Sequence, residues 1–197
     1  MSFVRRSMVV ALGTLLSLPA WAGSYTVDAS HTRVGFSVTH MTVSTVRGEF
    51  GEVSGTVQYD EKNVAGTKVS AKIGVKSVDT RDAKRDEHLM QADFFEVAKF
   101  PEMTFESKAV KNVSSDGFDL VGDLTIRGVT KEIALRVKTP TPEVKDPWGN
   151  TKRGTYATAK INRKDFGLSF NATLDQGGLV VGDEVTIELD IELNAVK

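Results

Sequence analysis

The residues of this chain best suited to chemistry are three histidines, His31, His40 and His88. Two have a carboxylate close by, in Asp28-x-x-His31 and Asp86-x-His88. A carboxylate beside an imidazole is the pairing that acid–base catalysis and zinc ligation both use. His31 and His40, however, stand apart in strand-forming sequence, without the close spacing of a helical or turn-borne metal pair. Structural hydrogen bonding therefore stands beside a catalytic reading for all three. Cysteine is absent, which excludes thiol chemistry and cysteine-ligated metal. There is no Gly-x-Ser-x-Gly elbow and no glycine-rich phosphate loop. Glu184, Glu188, Asp190 and Glu192 alternate along the last strand, where a solvated face accounts for them. The residues thus assign no catalytic set, no metal site and no cofactor.

The remaining resource is apolar. Phe36, Phe50, Phe94, Phe95, Phe100, Phe105, Phe118, Phe166 and Phe170 are many aromatics for one small core. All but Phe118, together with Val38, Ile73, Leu120, Leu124, Leu135 and Leu168, are expected to line an elongated apolar cavity. Such a cavity binds a lipid tail, with polar groups at its mouth fixing the head. Simple core packing is the alternative use of the same residues.

The elements that must position these side chains are strands. Val34, Phe36 and Val38 alternate with polar neighbours, as do Val53, Val57 and Tyr59, and Val69, Ala71, Ile73 and Val75. Val78 falls out of phase, the mark of a bulge where the strand leaves the sheet. Further alternations run through Met103–Ala109, Phe118–Ile126, Ile133–Val137, Ala157–Ile161, Asp165–Phe170 and Val185–Leu193. Asp116-Gly117 and Gly177-Gly178 are turn signals. Pro140, Pro142 and Pro147 make 139–150 a long loop holding Trp148. A sandwich would show the same alternation. Runs of nine or ten residues exceed the usual five or six, and favour an eight-stranded antiparallel barrel of the lipocalin-like, all-β kind. The last strand is regular enough to lie at an edge or seam, so a homodimer is carried as an expectation.

One stretch, Thr80–Phe105, breaks the period of two. It is expected to hold a helical insertion near residues 80–98, capped by Asp79 or Thr80, with Asp93 capping a second short turn. Leu89, Met90, Phe94, Phe95 and Phe100 would then press on one end of the barrel.

Residues 1–22 are read as a signal peptide. Arg5 and Arg6 precede the apolar run Met8–Leu18, and Ala20-Trp21-Ala22 supplies a cleavage site before Gly23. The run is about 11 residues, against the roughly 20 needed to span a bilayer. The product is expected to be periplasmic, without stable membrane insertion, as one domain over residues 23–197. The whole chain has 197 residues, 26% charged, and a formal net charge of −1. That balance gives no basic surface for nucleic acid.

Ordered along the sequence, several short patterns carry a resemblance. They include Tyr25-x-Val27-Asp28-x-x-His31-x-x-Val34-x-Phe36-x-Val38-x-His40, Val78-Asp79-Thr80, Arg85-Asp86-x-His88-Leu89 and Asp93-Phe94-Phe95. Phe100-Pro101-x-Met103-Thr104-Phe105, Gly122–Lys131, Asn162–Leu168 and Val181–Val185 complete them. In this order they resemble the YceI-like family, exported barrels that bind polyisoprenoids. Thr32 stands where the family usually has serine. The resemblance implies a non-enzymatic protein that holds a long-chain isoprenoid, of prenyl quinone or polyprenyl phosphate type, for transport, storage or buffering. His31, His40, Arg85, Asp86 and His88 match its polar marks and are the expected head-group contacts, or else braces of the fold. The alternative is a periplasmic enzyme using the histidine–aspartate pairs, which requires the three imidazoles to converge.

Overall fold

A computed structural model of the chain describes residues 23–172 and 179–196; the expected signal peptide and the Gly177-Gly178 turn lie outside the described residues. Alternation produces ten antiparallel strands: β1 (Gly23–Val27), β2 (Arg33–His40), β3 (Ser44–Tyr59), β4 (Lys68–Asp79), β5 (Glu102–Ser114), β6 (Gly117–Ile126), β7 (Val129–Lys138), β8 (Val144–Lys145), β9 (Thr151–Asn162) and β10 (Val181–Ala195). Helix α1 (Ala83–Leu89) lies between β4 and β5.

The sheet closes on itself. β10 pairs with β9 from Glu184↔Asn162 to Asn194↔Lys152, and with β2 from Val185↔Val38 to Asp190↔Arg33. β2 to β7, β9 and β10 therefore form a closed 8-stranded barrel, which a sandwich would not. β10 is the closing seam, paired on both sides, and offers no free edge to a second copy along that length. β1 pairs with β10 and β3 just beyond the end of β2 and runs in the same direction. The two are one wall position interrupted by residues 28–32.

Inward positions follow the period of two. On β6, Phe118, Leu120, Leu124 and Ile126 are buried, and Gly122 shares their face because a Cβ there would lie 2.5 Å from the Phe105 ring. Arg127-Gly128 turns β6 into β7 in two residues, both with positive φ, as a tight hairpin demands. The out-of-phase Val78 is explained by a bulge between Phe50↔Val78 and Glu52↔Gly74, which brings both Val75 and Val78 inward. The strand does not leave the sheet there, since Glu49 still pairs with Asp79.

Three other expectations need correction. Residues 165–170 are not a strand: Arg163–Phe166 is a 3-10 turn ended by Gly167 at φ 76°. β7 and β9 pair only at Arg136↔Thr158 and Val137↔Ala157, and buried Phe166 and Leu168 pack beside the splayed wall. Within the 139–150 loop, β8 forms a hairpin arm on β9, and the Asp146 carboxylate accepts hydrogen bonds from the backbone N–H groups of Trp148 and Asn150. Helix α1 is capped by Asp82, which accepts from the N–H groups of Lys84 and Arg85. Asp79 instead accepts from Arg81 N. The carboxylate of Asp93 holds His88.

Candidate functional site

Inward-facing side chains from every barrel strand leave a cavity of about 260 Å³ whose exposed wall is apolar throughout. Val34, Phe36, Val53, Ala71, Ile133 and Leu189 all line it and are only partly buried, although they point away from the outer surface. Their residual exposure is to the void. A cavity with this lining excludes water, because a water molecule inside would find no polar partners.

Twelve of the residues expected to line the cavity do so: Phe36, Val38, Phe50, Ile73, Phe94, Phe95, Phe105, Leu120, Leu124, Leu135, Phe166 and Leu168. Phe100 and Phe170 do not. Phe100 packs against Gly128, where a Cβ would meet its ring at 2.7 Å. Phe170 stacks on His88 and Phe94, with ring centroids 4.9 Å from each. Sequence reasoning overlooked much of the wall on β10 and β7, including Val185, Ile187, Ile191 and Ile133. Its signal was the plain alternation of aliphatics, which aromatic content overshadowed.

Two segments cap one end. The first is α1 and the turns after it, which contribute Leu89, Phe94 and Phe95 to the wall. The second is the 3-10 turn region, contributing Phe166 and Leu168. They are joined by the His88–Phe94–Phe170 stack and by one side chain from the β6–β7 turn. Arg127 donates from Nη1 to Gly167 O (2.5 Å) and from Nη2 to Ala92 O (2.6 Å), and pairs with Glu96 (3.2 Å). The Lys99 and Arg127 cations hold the Glu96 carboxyl below its usual range.

None of the five expected head-group residues lines the cavity. Arg85 donates to Thr80 Oγ1 and Thr80 O, both at 2.7 Å. Asp86 accepts from the N–H and hydroxyl of the same threonine. Thr80 is buried, so its polar atoms require partners, and the Arg85–Asp86 pair fastens α1 to the end of β4. His88 pairs with Asp93 at 2.7 Å, a hydrogen bond that holds the Asp93 carboxyl below its usual range. His40 ends β2, opposite Ser44 and Val181.

His31 belongs to a cluster that staples the interruption between β1 and β2. Its Nδ1 lies 3.2 Å from Asp28 and 3.7 Å from Glu192. Asp28, His31 and Glu192 could together ligate a cation, but an ammonium is already there. Lys152 Nζ is 2.9 Å from Asp28 and 2.6 Å from Glu192. The Ser30 hydroxyl and Lys152 keep the Asp28 carboxyl far below the usual carboxylate range. Glu192 and Asp28 push the Lys152 ammonium up in turn. Because His31 precedes the start of β2 while His40 ends that strand and His88 lies on α1 at the capped end, the three imidazoles do not converge. The catalytic alternative loses the geometry it required.

Two buried arginines went unnoticed in the sequence. Arg163, on the cavity wall, donates to the carbonyls of Gly182, Leu168 and Val181. Burial pulls its guanidinium below the ordinary value. With those donors occupied, it ties the 3-10 turn to β10 instead of presenting a free cation. Arg153 lies over the Tyr25 and Tyr59 rings, donates to Tyr25 Oη at 3.1 Å and pairs with Glu61 and Glu143. The available signal was phase, since both fall on the alternate positions that carry Ala157, Ala159 and Ile161.

Comparison with known proteins places these features in context. The family model described as YceI-like domain matches residues 25–193. Protein YceI of Salmonella newport (strain SL254) is 40% identical over 175 residues, covering 88% of this chain and 87% of its own. The crystal structure of Burkholderia cenocepacia BcnA superposes with a TM-score of 0.71 at 23% identity, over 84% of this chain and 98% of that one. A polyisoprenoid binding domain from Saccharophagus degradans, implicated in plant cell wall breakdown, gives a TM-score of 0.63 at 18% identity, covering 90% and 100%. These last two likenesses are of fold.

Proposed function

The chain belongs to the YceI-like domain family, and from that premise we infer that it holds one long-chain isoprenoid-type lipid in the barrel. The observation that carries this reading is the continuous apolar wall of the cavity. Each methylene moved from water into such a space contributes about 0.8 kcal/mol, so a tail binds without a specific head contact. The fold neighbour described as a polyisoprenoid binding domain supports the same cargo class. Prenyl quinones and polyprenyl phosphates are the proposed ligands, held in the periplasm for transport, storage or buffering.

The dimensions refine the proposal. An apolar cavity of about 150 Å³ accepts one benzene, and this one is about 260 Å³. The closed barrel therefore seats a short stretch of tail, and a longer one enters as the cap moves or wall side chains turn. With no polar surface inside, the head group stays outside the barrel. Organic extraction of the natively purified protein followed by mass spectrometry should release an isoprenoid in near-stoichiometric amount. Protein with an empty cavity and no affinity for added prenyl quinones would sink the reading.

A further inference from the structure

We propose that the tip of the β2–β3 hairpin docks on a lipid bilayer, bringing the capped end of the barrel to the membrane surface. This rests on the lipid-holding function above, because a bilayer is where such cargo resides. The hairpin overhangs the barrel. β3 last pairs with β4 at Glu49↔Asp79, whereas its pairing with β2 continues to Ser44↔His40. Five residues at about 3.3 Å each carry the tip roughly 16 Å past that part of the rim.

The tip is unusual in three respects. Residues 34–46 contain no Asp, Glu, Lys or Arg in a chain that is 26% charged. Val43 is 82% exposed and Met41 39%, and Leu179 (36%) sits beside them through the Met41 N–H to Val180 O bond of 2.9 Å. Met41 and Thr42 also hold left-handed backbone, at φ 51° and 62°, where glycine or asparagine would be unstrained. The chain keeps apolar side chains out in solvent here at a conformational cost.

A protein partner would bury about 800 Å² on each side, through some 20–30 residues. Three side chains on a convex tip fall far short of that. A bilayer interface accepts an isolated apolar wedge, and this wedge brings no charge that must be dehydrated on entry. The exposed apolar side chains at two other tips, Val113 between Lys111 and Asp116 and Trp148 beside Lys145 and Asp146, have charges within three residues and lack this property. The β2–β3 tip is also tied to the cap. Val180 N donates to Ala172 O at 3.0 Å, and two residues before Ala172 the Phe170 ring stacks on Phe94 of the cavity wall.

The test is flotation of the purified protein with phosphatidylcholine vesicles, comparing wild type, the double variant M41D/V43D and W148A. The vesicle-bound fraction of the double variant should fall by about tenfold, equivalent to about 1.4 kcal/mol, while W148A floats like wild type. Thermal melts check that the exposed substitutions leave the fold intact. Equal flotation of the double variant and wild type, no flotation of wild type, or loss in W148A would each overturn the proposal. Binding of a fluorescent prenyl alcohol in vesicle-free solution reads the cargo separately, and should be equal in all three proteins. Absence of probe binding in all of them refutes the lipid-holding function, while flotation still decides the docking.

Discussion

Replacing Ala71 by leucine separates a true void from a packed core. Ala71 faces inward on β4 between Gly55 on β3 and Phe105 on β5, so on its β3 side no cross-strand side chain fills the adjoining space. It is only partly buried, and that exposure is to the cavity. The leucine adds three carbon atoms. If they enter empty apolar space, they stabilise the lipid-free protein by about 2.4 kcal/mol at about 0.8 kcal/mol per carbon. If the interior is already filled, overpacking costs about 1–3 kcal/mol instead. The same three carbons displace an equal length of tail, so affinity for a prenyl ligand falls by about 2.4 kcal/mol, or on the order of 60-fold. Urea denaturation of delipidated protein gives the first quantity and titration with a fluorescent prenyl alcohol the second. A less stable variant with unchanged affinity would refute both the void and the position assigned to the ligand.

Two further substitutions test the cap and the wall staple. Arg127→Met removes the side chain that bonds Ala92, Glu96 and Gly167. With hydrogen bonds to charged groups worth about 1.5–3 kcal/mol and partial solvent access, a local loss of about 2 kcal/mol is expected. Amide exchange at 94–96 and 167 should then rise by roughly 30-fold while β3 and β10 stay protected; uniform loss of protection would count against a cap that opens on its own. Asp28→Asn tests the staple through pH. The folded carboxyl titrates far below its unfolded value, which is near 3.9. Its stabilisation is therefore present above about pH 4 and lost as pH falls from there towards the folded value. The wild type should be the more stable at pH 7, and its advantage should start to shrink below about pH 4 and go on shrinking as pH falls, as read from melting temperatures across the range. Parallel curves would contradict the assignment.

The sequence by itself determined the wall. Strand alternation depends on local residue pattern, and two-residue turns such as Arg127-Gly128 carry their own backbone preferences, so strands and many inward faces were legible. Length favoured the barrel over the sandwich, and the closing β9–β10–β2 pairings agree. A period of two, however, is silent on whether inward side chains meet one another or a void. It also cannot show that β1 and β2 share one wall position. Whether 165–170 continues as a strand depended on how β7 and β9 diverge, which is set far away in sequence.

Polar side chains were the least legible, because their partners are distant. Thr32 exchanges hydrogen bonds with the Glu192 backbone across 160 positions. Asp28 reaches Lys152 across 124. The histidine motifs looked like chemistry by composition. Only the tertiary structure shows where they sit: His31 beside Asp28 and Glu192 at the β1–β2 interruption, His88 on Asp93 in the cap, and His40 at the end of β2. Tertiary structure left the cavity apolar and placed these polar patterns in the wall and the cap around it.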